Sequence, residues 1–285
     1  MTAGKGYTAA VRRFAYPLLV LAATLSTGCF SSEIVVRVKA DGTGTIEQTN
    51  LANKQMITTA AGMAKRAVTD AGADASQAPN LDNLGDLFDE AKIKEQASSF
   101  GLGVRYVSSE PLSKDGLTGV HATYAFDDVR LLAMNNGGQA SAVPMPKLRF
   151  ELERSPDGAS TLRMRLPNSP RPPDDPAATP PPAAAARPDL PPEALAMVRS
   201  LFKGAHVTIA VEVDGAIVTT DAPRREGSRV TVIGIDVEQL LSDPTKLSAL
   251  QGMKPGADFT TIQRALDGVP GVLMPATPTV TIEFR

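Results

Sequence analysis

Ile34-Val35-Val36-Arg37-Val38-Lys39, Asp41-Gly42-Thr43-Gly44 and Thr45-Ile46-Glu47-Gln48-Thr49 follow one another in the chain. The first piece is β-branched and partly alternating, so it reads as a strand. The second is a turn, because the glycine of an Asp-Gly pair accepts positive φ at little cost. The third alternates again and reads as the returning strand. A hairpin therefore opens the body of the protein, and the same pattern recurs downstream.

Val104–Val107 and Gly119–Phe126 flank Asp115-Gly116, and Lys147–Arg154 and Ser160–Leu166 flank Pro156-Asp157-Gly158. In the latter pair Leu148, Phe150 and Leu152 alternate with Arg149, Glu151 and Glu153, which predicts one buried and one wet face. His206–Val213 is a strand by the same alternation. Asp214-Gly215 is expected to turn it, with Ile217-Val218-Thr219 returning. Arg229–Ile235 and Thr279–Phe284 are further strands.

Between these runs the apolar period lengthens. Residues 53–71 place Met56, Ile57, Ala60, Ala61, Ala64, Ala67, Val68 and Ala71 at helical spacing. Leu81, Leu84, Leu87, Phe88 and Ala91 mark a second helix, Glu193–Phe202 a third and Phe259–Leu266, ended by Gly268, another. Asp236 is placed to cap Val237–Leu241. Asn135–Pro146 reads as a loop. Eleven of the 23 prolines fall within residues 167–192, with Ala183–Ala186 and little else apolar, so this segment reads as an extended linker or insertion.

The expected fold is α+β, an antiparallel hairpin-rich sheet packed with several helices. Its parts are 29–166 and 193–285 on either side of the proline segment, forming one composite domain or two related halves. An echo between Phe126-Asp127-Asp128-Val129-Arg130-Leu131-Leu132 and Ile235-Asp236-Val237-Glu238-Gln239-Leu240-Leu241 favours related halves. Chance similarity of two strand-to-helix junctions explains it equally well.

Residues 1–28 read as an export leader. Lys5, Arg12 and Arg13 form a basic flank, and no acidic residue precedes Glu33. Phe14–Leu25 is an apolar core too short to span a bilayer of ~30 Å. Ser26-Thr27-Gly28 then lead to Cys29, the only cysteine in the 285-residue chain.

This segment resembles the lipobox of bacterial lipoproteins, with Ser26 where leucine is commonest. The resemblance implies cleavage between Gly28 and Cys29. It further implies a diacylglycerol on the Cys29 sulfur and an acyl group, palmitate being typical, on its amine. Two or three chains anchor a protein far more firmly than one, at ~0.8 kcal/mol per buried CH₂. Cleavage would remove three of the 29 basic residues and none of the 31 acidic ones, leaving a mildly acidic body. Phe30 stands where an aspartate would favour inner-membrane retention in that family. The resemblance therefore implies the outer membrane, facing the periplasm, if the source has two membranes. Otherwise it implies the outer face of the cell membrane. A short tether of about four residues is expected before the first strand. The body resembles, in a few residues around Asp41-Gly42, exported lipoproteins such as the LppM-type domain.

The composition excludes several chemistries. Near-balanced charge gives no electrostatic reason for nucleic acid to bind. One cysteine allows no intrachain disulfide. His121 and His206 lie in expected strands and read as strand residues facing solvent or a neighbour, so no Ser-His-Asp constellation and no zinc set is read. Asp127-Asp128 reads as a helix cap and Asp174-Asp175 as solvated linker. Gly101-Leu102-Gly103 and Gly42-Thr43-Gly44 lack the lysine of a phosphate loop. No catalytic, cofactor or metal site is assigned. The expected function is a non-enzymatic envelope lipoprotein binding a protein partner or assembling with it. The alternatives are a carrier of lipid or another apolar ligand, and a hydrolase using dispersed carboxylates.

Overall fold

The computed structural model describes residues 30–53, 58, 62, 88–134, 148–156, 158–166, 203–242 and 259–285. The first hairpin is present: β1 (Phe30–Val38) pairs with β2 (Gly44–Ala52) from Phe30↔Ala52 to Val38↔Gly44. Its turn is built as the sequence implies. Asp41 Oδ1 accepts from the Thr43 N–H at 2.9 Å, and Gly42 takes a φ of 86°.

The remaining strands, in order, are β3 (Arg105–Lys114), β4 (Leu117–Phe126), β5 (Ala133–Met134), β6 (Leu148–Arg154) and β7 (Ser160–Arg165). Then come β8 (His206–Val213), β9 (Ile217–Thr220), β10 (Arg224–Glu226), β11 (Arg229–Asp236), β12 (Val272–Leu273) and β13 (Thr279–Phe284). The helices are α1 (Glu90–Gln96), α2 (Val237–Leu241) and α3 (Phe259–Leu266). Eight strands form a large sheet ordered β10-β11-β8-β1-β2-β4-β3, with β12 added to β11. Five form a small sheet ordered β5-β6-β7-β13-β9.

The sheets share one core. Ile46, Tyr124, Phe126, Ile209 and Val211 of the large sheet belong to the same buried cluster as Phe150, Leu162, Met164, Val280, Ile282 and Phe284 of the small one. Tyr124 is central to it, packing on Phe100 at 4.9 Å and donating its hydroxyl proton to the Ile93 carbonyl at 3.0 Å. Its burial pushes the hydroxyl pKa above the usual range.

The expectation of helices packed on a sheet is overturned. Among the described residues 55% are strand and 17% helical, with only three short helices. The physical reason is that the small sheet covers the apolar face of the large one, so side chains of β6, β7 and β13 fill space assigned to helices. The expected helices at 53–71 and 193–202, the loop 135–146 and the segment 167–192 lie outside the described residues, except that Thr58 and Gly62 are helical. Of the second expected helix, Phe88 and Ala91 are described, and the helix begins at Glu90, capped by Asp89.

Of the two expected arrangements, one composite domain or two halves, the pairing of the strands fits the composite domain. β1 runs parallel to β8, Ser31 opposite His206 through Val38 opposite Val213, and β13 pairs with β7. Strands from before and after the proline segment are thus interleaved in both sheets. The two echoed junctions are real as caps. Asp128 accepts from the Arg130 N–H at 2.9 Å, and Asp236 from the Gln239 N–H at 3.0 Å. They share a local device, an aspartate cap directly after a strand.

Asp214-Gly215 is likewise not a hairpin turn. β9 leaves β8 and joins β13 in the small sheet. Gly215 makes this corner with a φ of 149°, and a Cβ there would lie 2.3 Å from the Arg285 carbonyl oxygen. Ala216 and Arg285 close the corner with reciprocal backbone bonds of 2.8 and 3.0 Å. The expected four-residue tether is also absent, since β1 begins at Phe30.

Candidate functional site

Pleating sends alternate residues of a strand to opposite faces. In β1 the even positions Ile34, Val36 and Val38 enter the core, while Ser31, Glu33, the buried Val35 and Arg37 share the other face. The register places His206, Thr208 and Glu212 of β8 beside them, and Glu47 and Thr49 of β2 on the other side. His121 of β4 stands opposite Thr49, and Arg229 of β11 opposite Glu212. One face of the large sheet enters the core, and the other carries these polar and charged side chains, both histidines included, around the buried Val35, Ala210 and Leu51.

Each histidine is bonded to a hydroxyl. Ser31 Oγ lies 2.8 Å from His206 Nε2, and His206 Nδ1 lies 3.2 Å from the Gly204 carbonyl oxygen. A carbonyl only accepts, so Nδ1 donates to Gly204, leaving Nε2 to meet the Ser31 hydroxyl. Thr49 Oγ1 lies 2.9 Å from His121 Nδ1. The charges beside them are paired. Arg229 binds Glu33 across β8, and Arg37 holds Glu47 at 2.7 Å and also Glu212. The bond to Glu47 contributes most to holding the Arg37 guanidinium protonated beyond its usual range.

Two open hollows adjoin this face. One of about 520 Å³ lies at the Val38 end, lined by Arg37, Lys39, Thr45, Glu212, Asp214 and Ser228 among others. The other, of about 380 Å³, lies beside His206 with Thr208, Arg224, Arg229 and Asp236.

No protein-family model matches the chain, and no curated protein does. The chain is similar to the NMR structure of the folded domain of LppM from Mycobacterium tuberculosis, at 12% identity, covering 91% of each chain, with a TM-score of 0.31. A likeness of that degree carries no argument about function.

The Ser31–His206 pair has the first half of a hydrolytic constellation, a hydroxyl within hydrogen-bond distance of an imidazole nitrogen. The second half calls for N–H donors free to face a developing oxyanion. β1 is paired on both sides from Ser31 onward, to β2 and to β8, so Ser31 lies inside the sheet and not on a free loop. A backbone carbonyl, with no negative charge, orients the imidazole.

Among the described residues no group of three or more His, Cys, Asp or Glu side chains is placed to hold a metal. Asp128 forms the cap, and Asp127 pairs with Arg105 at 2.7 Å. Asp174, Asp175, Gly28 and Cys29 lie outside the described residues. Gly101 makes an isolated bridge to Leu132. The sequence reading passed over Ser31, Glu33, Thr49 and Arg229 as site residues. The period-two recurrence of Ser31, Glu33 and Arg37 in β1, and of His206, Thr208 and Glu212 in β8, carried that signal. Which strands stand side by side did not.

Proposed function

We propose that the chain is an envelope lipoprotein anchored through Cys29, and that its folded body is a binding or assembly component with no catalytic role. The observation that carries this reading is that Phe30, the residue after the lipobox cysteine, already belongs to β1, so an anchor at Cys29 would sit directly against the folded body. Cleavage before Cys29 would leave one residue, Cys29 itself, ahead of the described part of β1. The paired charges of the polar face support a binding role, because a surface already internally satisfied offers a stiff, electrically balanced contact.

The carrier alternative is weakened by the inter-sheet space, where Tyr124, Phe126, Phe150, Phe259 and Phe284 are buried against one another's neighbours. The hydrolase alternative needs a carboxyl held above its ordinary pKa. Asp41 and Asp128, the carboxyls with a displaced acidity, are displaced downward by bonds to Thr43 and Arg130 respectively. Phe30 after the cysteine supports the outer membrane, facing the periplasm, in a source with two membranes.

Intact mass of the membrane-extracted protein tests the reading. The expected species is residues 29–285 carrying diacylglycerol, with Cys29→Ala losing the adduct. An unmodified Cys29 would overturn it.

A further inference from the structure

We infer that the body stands end-on to its bilayer, with the strands of the large sheet rising from the lipid headgroups and its polar face perpendicular to the membrane. The inference rests on the Cys29 anchor proposed above and adds the surface that meets the membrane. β1 is the fourth of the seven strands along the large sheet, with three on either side. It is bonded from Phe30 onward to β2 and from Ser31 onward to β8. Its start is therefore a fixed point at the middle of one end of the sheet. The Cα of Cys29 is one residue, ~3.8 Å, from that of Phe30. An anchor so close and so central has neither the slack nor the lever arm to let the sheet lie on a face.

The register identifies the rim that meets the headgroups. Phe30 stands opposite Ala52, Ala52 opposite Thr118, Leu117 opposite Lys114, and His206 opposite both Ser31 and Asp236. The β3–β4 turn and the residues leading into β8 thus lie at the level of the anchor. They present Lys114 and Lys203, both exposed, together with the exposed Asp115 of the same β3–β4 turn. The opposite rim, with Lys39 and Asp214, is eight residues further along β1, about 26 Å at ~3.3 Å per residue. In this stance the hollow beside His206 sits near the membrane. The 520 Å³ hollow sits at the distal end, open to the aqueous compartment.

The test uses the full lipidated chain in phosphatidylcholine–phosphatidylglycerol vesicles containing headgroup-quencher lipid. Cys29 is the only native cysteine, and a thioether blocks it. A fluorophore therefore reports on one engineered site at a time, Lys114→Cys or Lys203→Cys at the near rim, Lys39→Cys or Asp214→Cys at the far one. All four positions are exposed. Quenching several-fold stronger at 114 and 203 than at 39 and 214 is expected. Equal quenching at the two rims, or the reverse order, in protein that floats with the vesicles would overturn the end-on stance alone. Protein that neither floats nor carries diacylglycerol would remove the anchor and the stance together.

Discussion

Asp128 shows what a single side chain contributes in this protein. Its carboxylate accepts from the Arg130 backbone N–H and from the Arg130 guanidinium, capping the turn that follows β4. The bond to the Arg130 side chain is the largest cause holding the Asp128 pKa below its ordinary value of 3.8. A carboxyl whose folded pKa is lowered adds stability that is present above its unfolded pKa and is lost as the pH falls through the folded one. Asp128→Ala should therefore cost about 1 kcal/mol at neutral pH, as caps of this kind do. The difference from wild type should fade as the pH drops below the ordinary aspartate range. Thermal melts of both proteins at pH 7 and at pH 2.5 check this, and an undiminished difference at the lower pH would assign the loss to packing.

Among the elements, the β8–β9 corner has the largest effect on architecture. An Asp-Gly pair between two β-branched runs has the composition of a hairpin, and Asp115-Gly116 makes one, with φ values of 51° and 77°. Asp214-Gly215 differs in its surroundings. The chain end at Arg285 lies against Gly215, and β9 finds its partner in β13. Gly215→Ala adds a Cβ at a backbone conformation that side chains rarely adopt and drives it against the Arg285 carbonyl. A loss of about 1–3 kcal/mol is expected. At roughly 2–4 °C per kcal/mol this lowers the melting temperature by several degrees. Gly227, also at positive φ but with open space where a Cβ would go, provides the comparison. Gly227→Ala should cost less, and a larger loss there than at Gly215 would refute the steric account.

At the scale of the whole molecule, interleaving makes the two flanks of the proline segment inseparable. β1 cannot be a central strand without β8, and β13 completes the sheet begun by β6 and β7. A protease site inserted after Asp174 and cleaved in the folded protein should leave two fragments that co-elute in native buffer and separate in urea. Independent elution in native buffer would mean that each flank carries its own core. A parallel pair joining residues so far apart is expensive in loop-closure entropy, so this pairing depends on the apolar surface it buries.

How much was legible follows from the range of the forces involved. The sequence by itself determined the strands β1, β2, β4, β6, β7, β8, β11 and β13, the Asp41-Gly42 and Asp115-Gly116 turns, the Asp236 cap and helix α3. All of these are set by side-chain period and by backbone preferences acting over a few residues. It also marked His121 and His206 as strand residues facing solvent or a neighbour, because alternation alone assigns a face. Only the tertiary structure decided that β1 lies between β2 and β8, that β9 crosses to the small sheet, and that sheet packs on sheet where helices were expected. It also decided that Ser31 meets His206 and Arg229 meets Glu33. Those outcomes depend on which apolar faces find each other across more than a hundred residues, and no local pattern encodes the choice of neighbour.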